Sequence, residues 1–330
     1  MDLDAFVTEH RGEWDRLRRL VRKRKRRLTA TEVDELVALY HRAATHLSMV
    51  RSRSPDPAVV AWLSRLVLQA RAALTPSPGF SLAGVGRFLT VSFPLEVYRA
   101  GGWLIGVAAA FVLLSGVRIA IVAADPTAFA SPAVIEDLVS HSFEAYYSTY
   151  APENFALLVW SNNAWLAAIC LAAGVLILPV LFVLWVNVDN VGLVGGIMVG
   201  SGRADVFFGL VLIHGLLELT AIFIAAAVGL RIGWAWIAPG PYLTRGQALA
   251  ERARSGMVVA LGLALVLFLS GLVEAFVTPL PAPIPAKLAF GAMVWAGFLA
   301  YVVGLGGRAA RRGDSADVDP LDRSASAPTG

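Results

Sequence analysis

Gly101-Gly102-Trp103-Leu104-Ile105-Gly106-Val107-Ala108-Ala109-Ala110-Phe111-Val112-Leu113-Leu114-Ser115-Gly116-Val117-Arg118-Ile119-Ala120-Ile121-Val122-Ala123 is a predominantly apolar run of 23 residues. At about 1.5 Å per helical residue it can cross a hydrocarbon core about 30 Å thick. The rest of the chain agrees with that reading. Of 330 residues, 57% are apolar and only 16% charged, with a mean hydropathy of +0.66, whereas soluble domains run nearer a quarter charged. A soluble enzyme of ordinary composition is excluded. Thirty glycines and 17 prolines follow no three-residue period, which excludes collagen. A single cysteine, Cys170, excludes an internal disulfide and any cysteine-based zinc or iron-sulfur site. The expected fold class is all-α, a polytopic helical membrane protein preceded by a basic cytoplasmic helical region.

That region is 1–99, with 17 Lys and Arg against 10 Asp and Glu and no apolar stretch long enough to span. Its first ten residues, Met1 to His10, are acidic and lack the apolar core of a signal peptide, so the first span is expected to be retained. Glu13 to Arg27 reads as a helix carrying Arg16, Arg18, Arg19, Arg22, Lys23, Arg24, Lys25, Arg26 and Arg27. A helix so charged is expected to lie outside any core. Thr29-Ala30-Thr31-Glu32 reads as a capping box, followed by Val33, Leu36, Val37, Tyr40, Ala44 and Leu47 at helical spacing. Asp56-Pro57 starts a third helix, which ends before Pro76-Ser77-Pro78-Gly79.

The membrane domain is read over 100–306. Asp125-Pro126 closes the first span, and the segment 124–160 then carries five acids and no lysine or arginine. By the positive-inside rule it faces outward and the N-terminus is cytoplasmic. Phe143, Tyr146, Tyr147, Tyr150, Phe155 and Trp160 suit an interfacial aromatic belt there. Phe155 to Gly202 has room for two spans, Val206 to Ile232 for one, and Met257 to Val277 and Leu288 to Gly306 for two more around the stiff turn 279–285. Arg231 to Ser255, with four arginines against one acid, and a disordered tail 307–330 are assigned to the cytoplasm. The count is then six, or five if Val191 to Gly200 is re-entrant.

Ionisable groups inside a membrane are costly and default to functional candidates. His214, Glu218 and Glu274 stand out, the first two one turn apart on one face beside Gly215. They could line a polar cavity or form a proton-sensitive hinge, or they could hold neighbouring helices together. Asn162, Asn163, Asn187, Asp189 and Asn190 are further polar candidates, the first pair as a helix cap or a cross-helix link. Gly192, Gly196 and Gly200 share one helix face, suited to tight packing or to a re-entrant segment. No catalytic constellation is read. His-x-x-x-Glu is not a zinc-protease motif, and neither a serine elbow nor a phosphate-binding loop is present. No enzyme, cofactor or metal is expected. The cations of 16–27 suit anionic lipid of the inner leaflet or an acidic partner, and no stacking platform for nucleic acid accompanies them.

The run Leu210-Val211-Leu212-Ile213-His214-Gly215-Leu216-Leu217-Glu218-Leu219-Thr220-Ala221-Ile222-Phe223 resembles the Pro-His-Gly-x-x-Glu-Leu signature of the stage II sporulation protein M family. Ile213 stands where that family usually has proline, which leaves any helix break to Gly215 alone. The resemblance extends to Trp160-Ser161-Asn162-Asn163-Ala164-Trp165, to Asn187 followed by Gly192, Gly195 and Gly196, and to Gly229-Leu230-Arg231-Ile232-Gly233. It implies a multi-pass protein of the bacterial plasma membrane without catalytic chemistry. In spore formers the family's namesake recruits peptidoglycan-remodelling hydrolases at the septum, and relatives elsewhere are commonly encoded near MoxR-type ATPases. The expected role is a scaffold or partner-recruiting subunit of the cell envelope, with envelope proteins, a MoxR-type ATPase system or a second copy of the chain as partners. The alternative is a permease-like or channel-like protein with a polar intramembrane path.

Overall fold

A computed structural model describes residues 2–23, 28–53, 56–74, 82–143 and 152–316, in two compact units, Met1–Ser81 and Leu82–Gly330. In the first unit, α1 (Leu3–Arg22), α2 (Ala30–Arg53) and α3 (Pro57–Leu74) pack on one another. Asp2 caps α1 through the amides of Asp4 and Ala5. The Thr29 amide donates to Glu32 Oε2 while Thr29 Oγ1 accepts from the Glu32 amide, so the expected capping box is formed. Asp56 caps α3 through the amides of Ala58 and Val59.

The charged first helix is a core element after all. Trp14, Leu17 and Leu20 are buried against Leu36, Leu39, Ala43, Leu63, Leu66 and Ala70. Three- and four-residue spacing places these apolar side chains on one face and the cations on the other, so one helix serves both purposes. Its start at Leu3, not Glu13, follows from the Asp2 cap. Arg16 pairs with Glu35 at 2.7 Å, Lys23 with Glu32 at 2.6 Å and Arg18 with Asp15 at 3.4 Å. Arg24, Lys25, Arg26 and Arg27 lie outside the described residues.

The second unit opens with α4 (Leu82–Arg87), a π-helical turn at Phe88–Ser92 and α5 (Phe93–Arg99). The contacts place the boundary between the units at 81/82, where the sequence reading put it at 99, because Phe93 and Val97 are buried in the core of the membrane unit. Among the described residues, six helices are long and apolar enough to span: α6 (Gly101–Ala124), α8 (Pro152–Ala172), α9 (Leu178–Gly200), α10 (Ala204–Ile237), α11 (Arg245–Val277) and α12 (Ile284–Tyr301). Between α6 and α8, the short α7 (Pro132–Asp137) is capped by Ser131. Tyr146, Tyr147 and Tyr150 of the expected aromatic belt are outside the described residues.

Helix α10 is the hub, packing against α6, α8, α9, α11 and α12. Every residue from Ala221 to Val228 is buried, which is why this helix is apolar all round rather than amphipathic. Helix α9 is continuous to Gly200, so the re-entrant alternative for 191–200 does not hold. Its glycine face lies on α6: a Cβ at Gly196 would sit 2.4 Å from Val122 Cβ, and one at Gly200 2.8 Å from the Ala123 carbonyl. The connection between α8 and α9 is a 3-10 turn, Gly174–Leu176, followed by Ile177 at φ 61°. The expected cytoplasmic segment 231–255 consists largely of helix ends, with only 238–244 between α10 and α11. A capping box of Thr244 and Gln247 starts α11. Lys287 Nζ donates to the Thr278 carbonyl at 2.6 Å, satisfying an end of α11. Helix α12 continues through a π turn, Val302–Gly306, into α13 (Gly307–Arg312). The tail assigned from 307 is therefore helical at its start, and 317–330 lies outside the described residues.

At Gly229 a Cβ would approach the Cys170 carbonyl oxygen to 2.1 Å, a separation that forces α8 and α10 apart. Gly229→Val is expected to lower thermal stability in detergent by about 1–3 kcal/mol, the range for overpacking. Gly116→Ala, with open space around it, should match or exceed the wild type in the same melt. In the first unit, Trp14 Nε1 donates to His46 Nδ1 at 3.2 Å, and the His10 ring stacks on His46 at 4.0 Å. Burial first, then His10, pushes the His46 imidazole below its ordinary value. The neutral form is thus favoured in the fold, so its contribution to stability is full above about pH 6.5 and lost on acidification. Amide exchange in α1 and α2 of the full-length protein should accelerate between about pH 7 and 5 beyond the intrinsic rate change, and less so in His46→Gln. An unchanged profile in that variant would show that His46 is not the group responsible.

Candidate functional site

The polar side chains of the membrane unit converge where α8, α10 and α11 meet. His214 and Glu218 lie one turn apart on α10, as their spacing requires. His214 is only 6% exposed, and its Nε2 lies 3.4 Å from Oε1 of Glu274 on α11. Ser270, one turn before Glu274, donates from Oγ to the His214 carbonyl at 3.3 Å. Glu218 is half-buried, with Asn163 of α8 as a polar neighbour. His214 therefore reaches across to α11. One potential ligand atom each from His214, Glu218 and Glu274 lies within 4.8 Å of the others. Glu218 Oε1 and Glu274 Oε2 are shielded from solvent and have no hydrogen-bond partner among the described residues.

The remaining sequence candidates divide. Gly215 sits in an unbroken helix of 34 residues, so no hinge or break exists there. Asn162 is exposed, and since α8 begins at Pro152 neither asparagine is a cap. Asn187 donates to the Val183 carbonyl of its own helix at 2.8 Å, and Asn190 is exposed. Asp189 joins a second polar link, accepting from Arg118 Nε of α6 at 2.8 Å. The Arg118 guanidinium also lies 4.7 Å from the centre of the Phe129 ring, a cation–π distance. Gly192 makes room for this arginine, because a Cβ there would fall 2.2 Å from Arg118 Cγ. Sequence reasoning missed Arg118, although a single cation within an apolar run and an aspartate within another are the signal that would have paired them. Two tryptophans add further cross-links, Trp160 Nε1 to the Ala264 carbonyl and Trp295 Nε1 to Thr220 Oγ1, each at 3.0 Å.

A second cluster of potential ligands, His10, Glu13 and His46, lies in the first unit. It is less suited to a metal. With Trp14 donating to Nδ1 of His46, a neutral His46 carries its proton on Nε2 and offers no second lone pair.

The comparison with protein families falls on this geometry. The model of the stage II sporulation protein M family matches residues 103–279, more than half of the chain. The chain belongs to the stage II sporulation protein M family. The matched segment contains Asn163, His214, Glu218 and Glu274 as well as both partners of the Arg118–Asp189 pair. A second model, described as a domain of unknown function (DUF8413), matches residues 4–76, the three-helix unit. No curated protein and no solved structure matches. Family membership, the helical fold and the six apolar helices together establish an integral membrane protein.

Because Arg118 and Asp189 neutralise each other, removing one charge strands the other. Arg118→Gln and Asp189→Asn are each expected to reduce folded protein, and the double variant to be milder than their sum. A double-mutant cycle on unfolding in detergent should give a coupling of about 0.5–3 kcal/mol. Strict additivity would show that the pair contributes nothing.

Proposed function

We propose that this protein is a non-catalytic scaffold of the bacterial plasma membrane, a subunit that recruits envelope proteins to its membrane unit and cytoplasmic partners to its N-terminal helices. The observation that carries this reading is the use made of intramembrane polarity. His214–Glu274, Arg118–Asp189, Trp160–Ala264 and Trp295–Thr220 each join two helices. Side chains spent on fixing helices in place suit a rigid platform better than a solute path. A groove of about 650 Å³ along α6 and α9 is lined by apolar groups such as Val107, Phe111, Leu184 and Val188, which suits lipid tails rather than a polar solute.

The orientation belongs to the same reading. With six spans both ends lie on one side, and the basic first unit together with Arg308, Arg311 and Arg312 favours the cytoplasm. Exposed Arg19 and Arg22 would add to attraction for anionic lipid at about 1 kcal/mol per cation near the surface. Arg16 and Lys23 contribute less, since Glu35 and Glu32 already neutralise them. By the family relationship, peptidoglycan-remodelling factors and a MoxR-type ATPase system are the first partners to seek.

Quantitative mass spectrometry after affinity purification from native membranes in mild detergent tests the reading. Envelope proteins in stoichiometric yield are expected, with those held by the basic helix lost as salt is raised from about 0.1 M to about 1 M and the Debye length falls from about 10 to 3 Å. Recovery of the protein alone, together with solute flux in reconstituted vesicles, would favour the permease reading instead.

A further inference from the structure

Two glutamates and a histidine meet in the membrane unit with more acceptor capacity than the protein satisfies. Glu274 is 3% exposed and Glu218 Oε1 is fully shielded, and each carboxylate keeps one buried oxygen without a hydrogen-bond partner among the described residues. Buried carboxylates are stable only when neutralised or paired. Among the described residues, neither Arg nor Lys is within ion-pair distance of either one. Asn163, the polar neighbour of Glu218, brings no charge.

The separations point to what would fit. Two ligands of a tetrahedral zinc ion, each about 2.0–2.1 Å from the metal, lie about 3.3–3.4 Å apart. His214 Nε2 and Glu274 Oε1 are 3.4 Å apart, long for a strong hydrogen bond and matched to that edge. The Glu218 oxygen is within 4.8 Å of both, a gap that rotation of a glutamate side chain can close without moving the backbone. We propose that His214, Glu218 and Glu274 form an intramembrane site for a divalent transition-metal ion, with zinc the best match, that clamps α10 to α11.

The charges balance, since two carboxylates cancel a divalent cation and the neutral imidazole adds none. Imidazole with two carboxylate oxygens suits zinc, iron or manganese, and disfavours calcium and magnesium, which take oxygen ligands. Asn163 of α8, beside Glu218, would be its positioning residue. The sequence concealed the site because its third ligand stands 60 residues beyond the histidine, so no single-helix motif contains all three. The inference does not rest on the scaffold reading; a structural ion serves a scaffold or a permease equally.

The test uses the full-length protein, purified from native membranes through an affinity handle that contains no histidine run. Metal analysis should find about one ion per chain. After stripping with a chelator, added Zn²⁺ should raise the melting midpoint. His214→Asn and Glu274→Gln should each lose the ion and the Zn²⁺-induced rise, and Asn163→Ala should weaken binding by about 10- to 100-fold. His46→Gln should retain both, which separates this site from the cluster in the first unit. A wild-type protein that carries no ion and is indifferent to Zn²⁺ overturns the proposal, even if every variant fails to insert. So does an ion retained with unchanged affinity in both ligand variants, or one lost only in His46→Gln.

Discussion

A polar group carried into hydrocarbon must find its partner within the protein, because lipid offers none. This constraint explains the placement of α10 more economically than its hydropathy does. A helix that is apolar all round could float anywhere in a bilayer. One that also carries His214 and Glu218 must be surrounded, and the neighbouring α11 brings Glu274 and Ser270 to meet it. The apolar run Ala221–Val228 then packs in the remaining length, where small side chains let neighbours approach closely. The other links, Arg118 to Asp189 and Trp295 to Thr220, apply the same rule to α6, α9 and α12.

Much of this was legible in the sequence, and the parts that were not have a common cause. Hydrophobic length alone gave the all-α class and the six spanning helices, since a span is defined by consecutive residues. The capping box at Thr29 and the cap at Asp56 were equally local and equally readable. His214, Glu218 and Glu274 could be singled out because each is costly where it stands. Their pairing could not. A spacing of four placed His214 and Glu218 on one face, but it could not show that His214 meets Glu274 of another helix. Arg118 escaped notice because a single cation near the end of an apolar run looks like an interfacial residue until Asp189 is placed beside it. The extra reach of α10 and α11 was hidden by their arginines, which were read as a loop although Arg231, Arg245, Arg252 and Arg254 all lie within helices.

The first unit shows how a helix can be both charged and structural. Composition says that a segment with Arg16, Arg18, Arg19, Arg22 and Lys23 belongs in water. Position says that Trp14, Leu17 and Leu20 share a face, and it is position that decides burial. Long basic side chains lie over apolar surface with their charged ends outward, so the same helix contributes to a core and keeps a cationic exterior.

The length of α10 has a mechanical meaning. Its 34 residues extend about 51 Å as a straight helix, against a hydrocarbon core of about 30 Å. Such a rod must lean away from the membrane normal or carry its last turns into the headgroup layer, where Trp234 and Trp236, about half exposed, are well suited to sit. Its partner α11 is 33 residues long and has to make the same accommodation. A thinner or thicker bilayer therefore changes the lean of both rods. Because His214 and Glu274 join them side to side, the thickness of the surrounding lipid bears directly on the geometry of that pair.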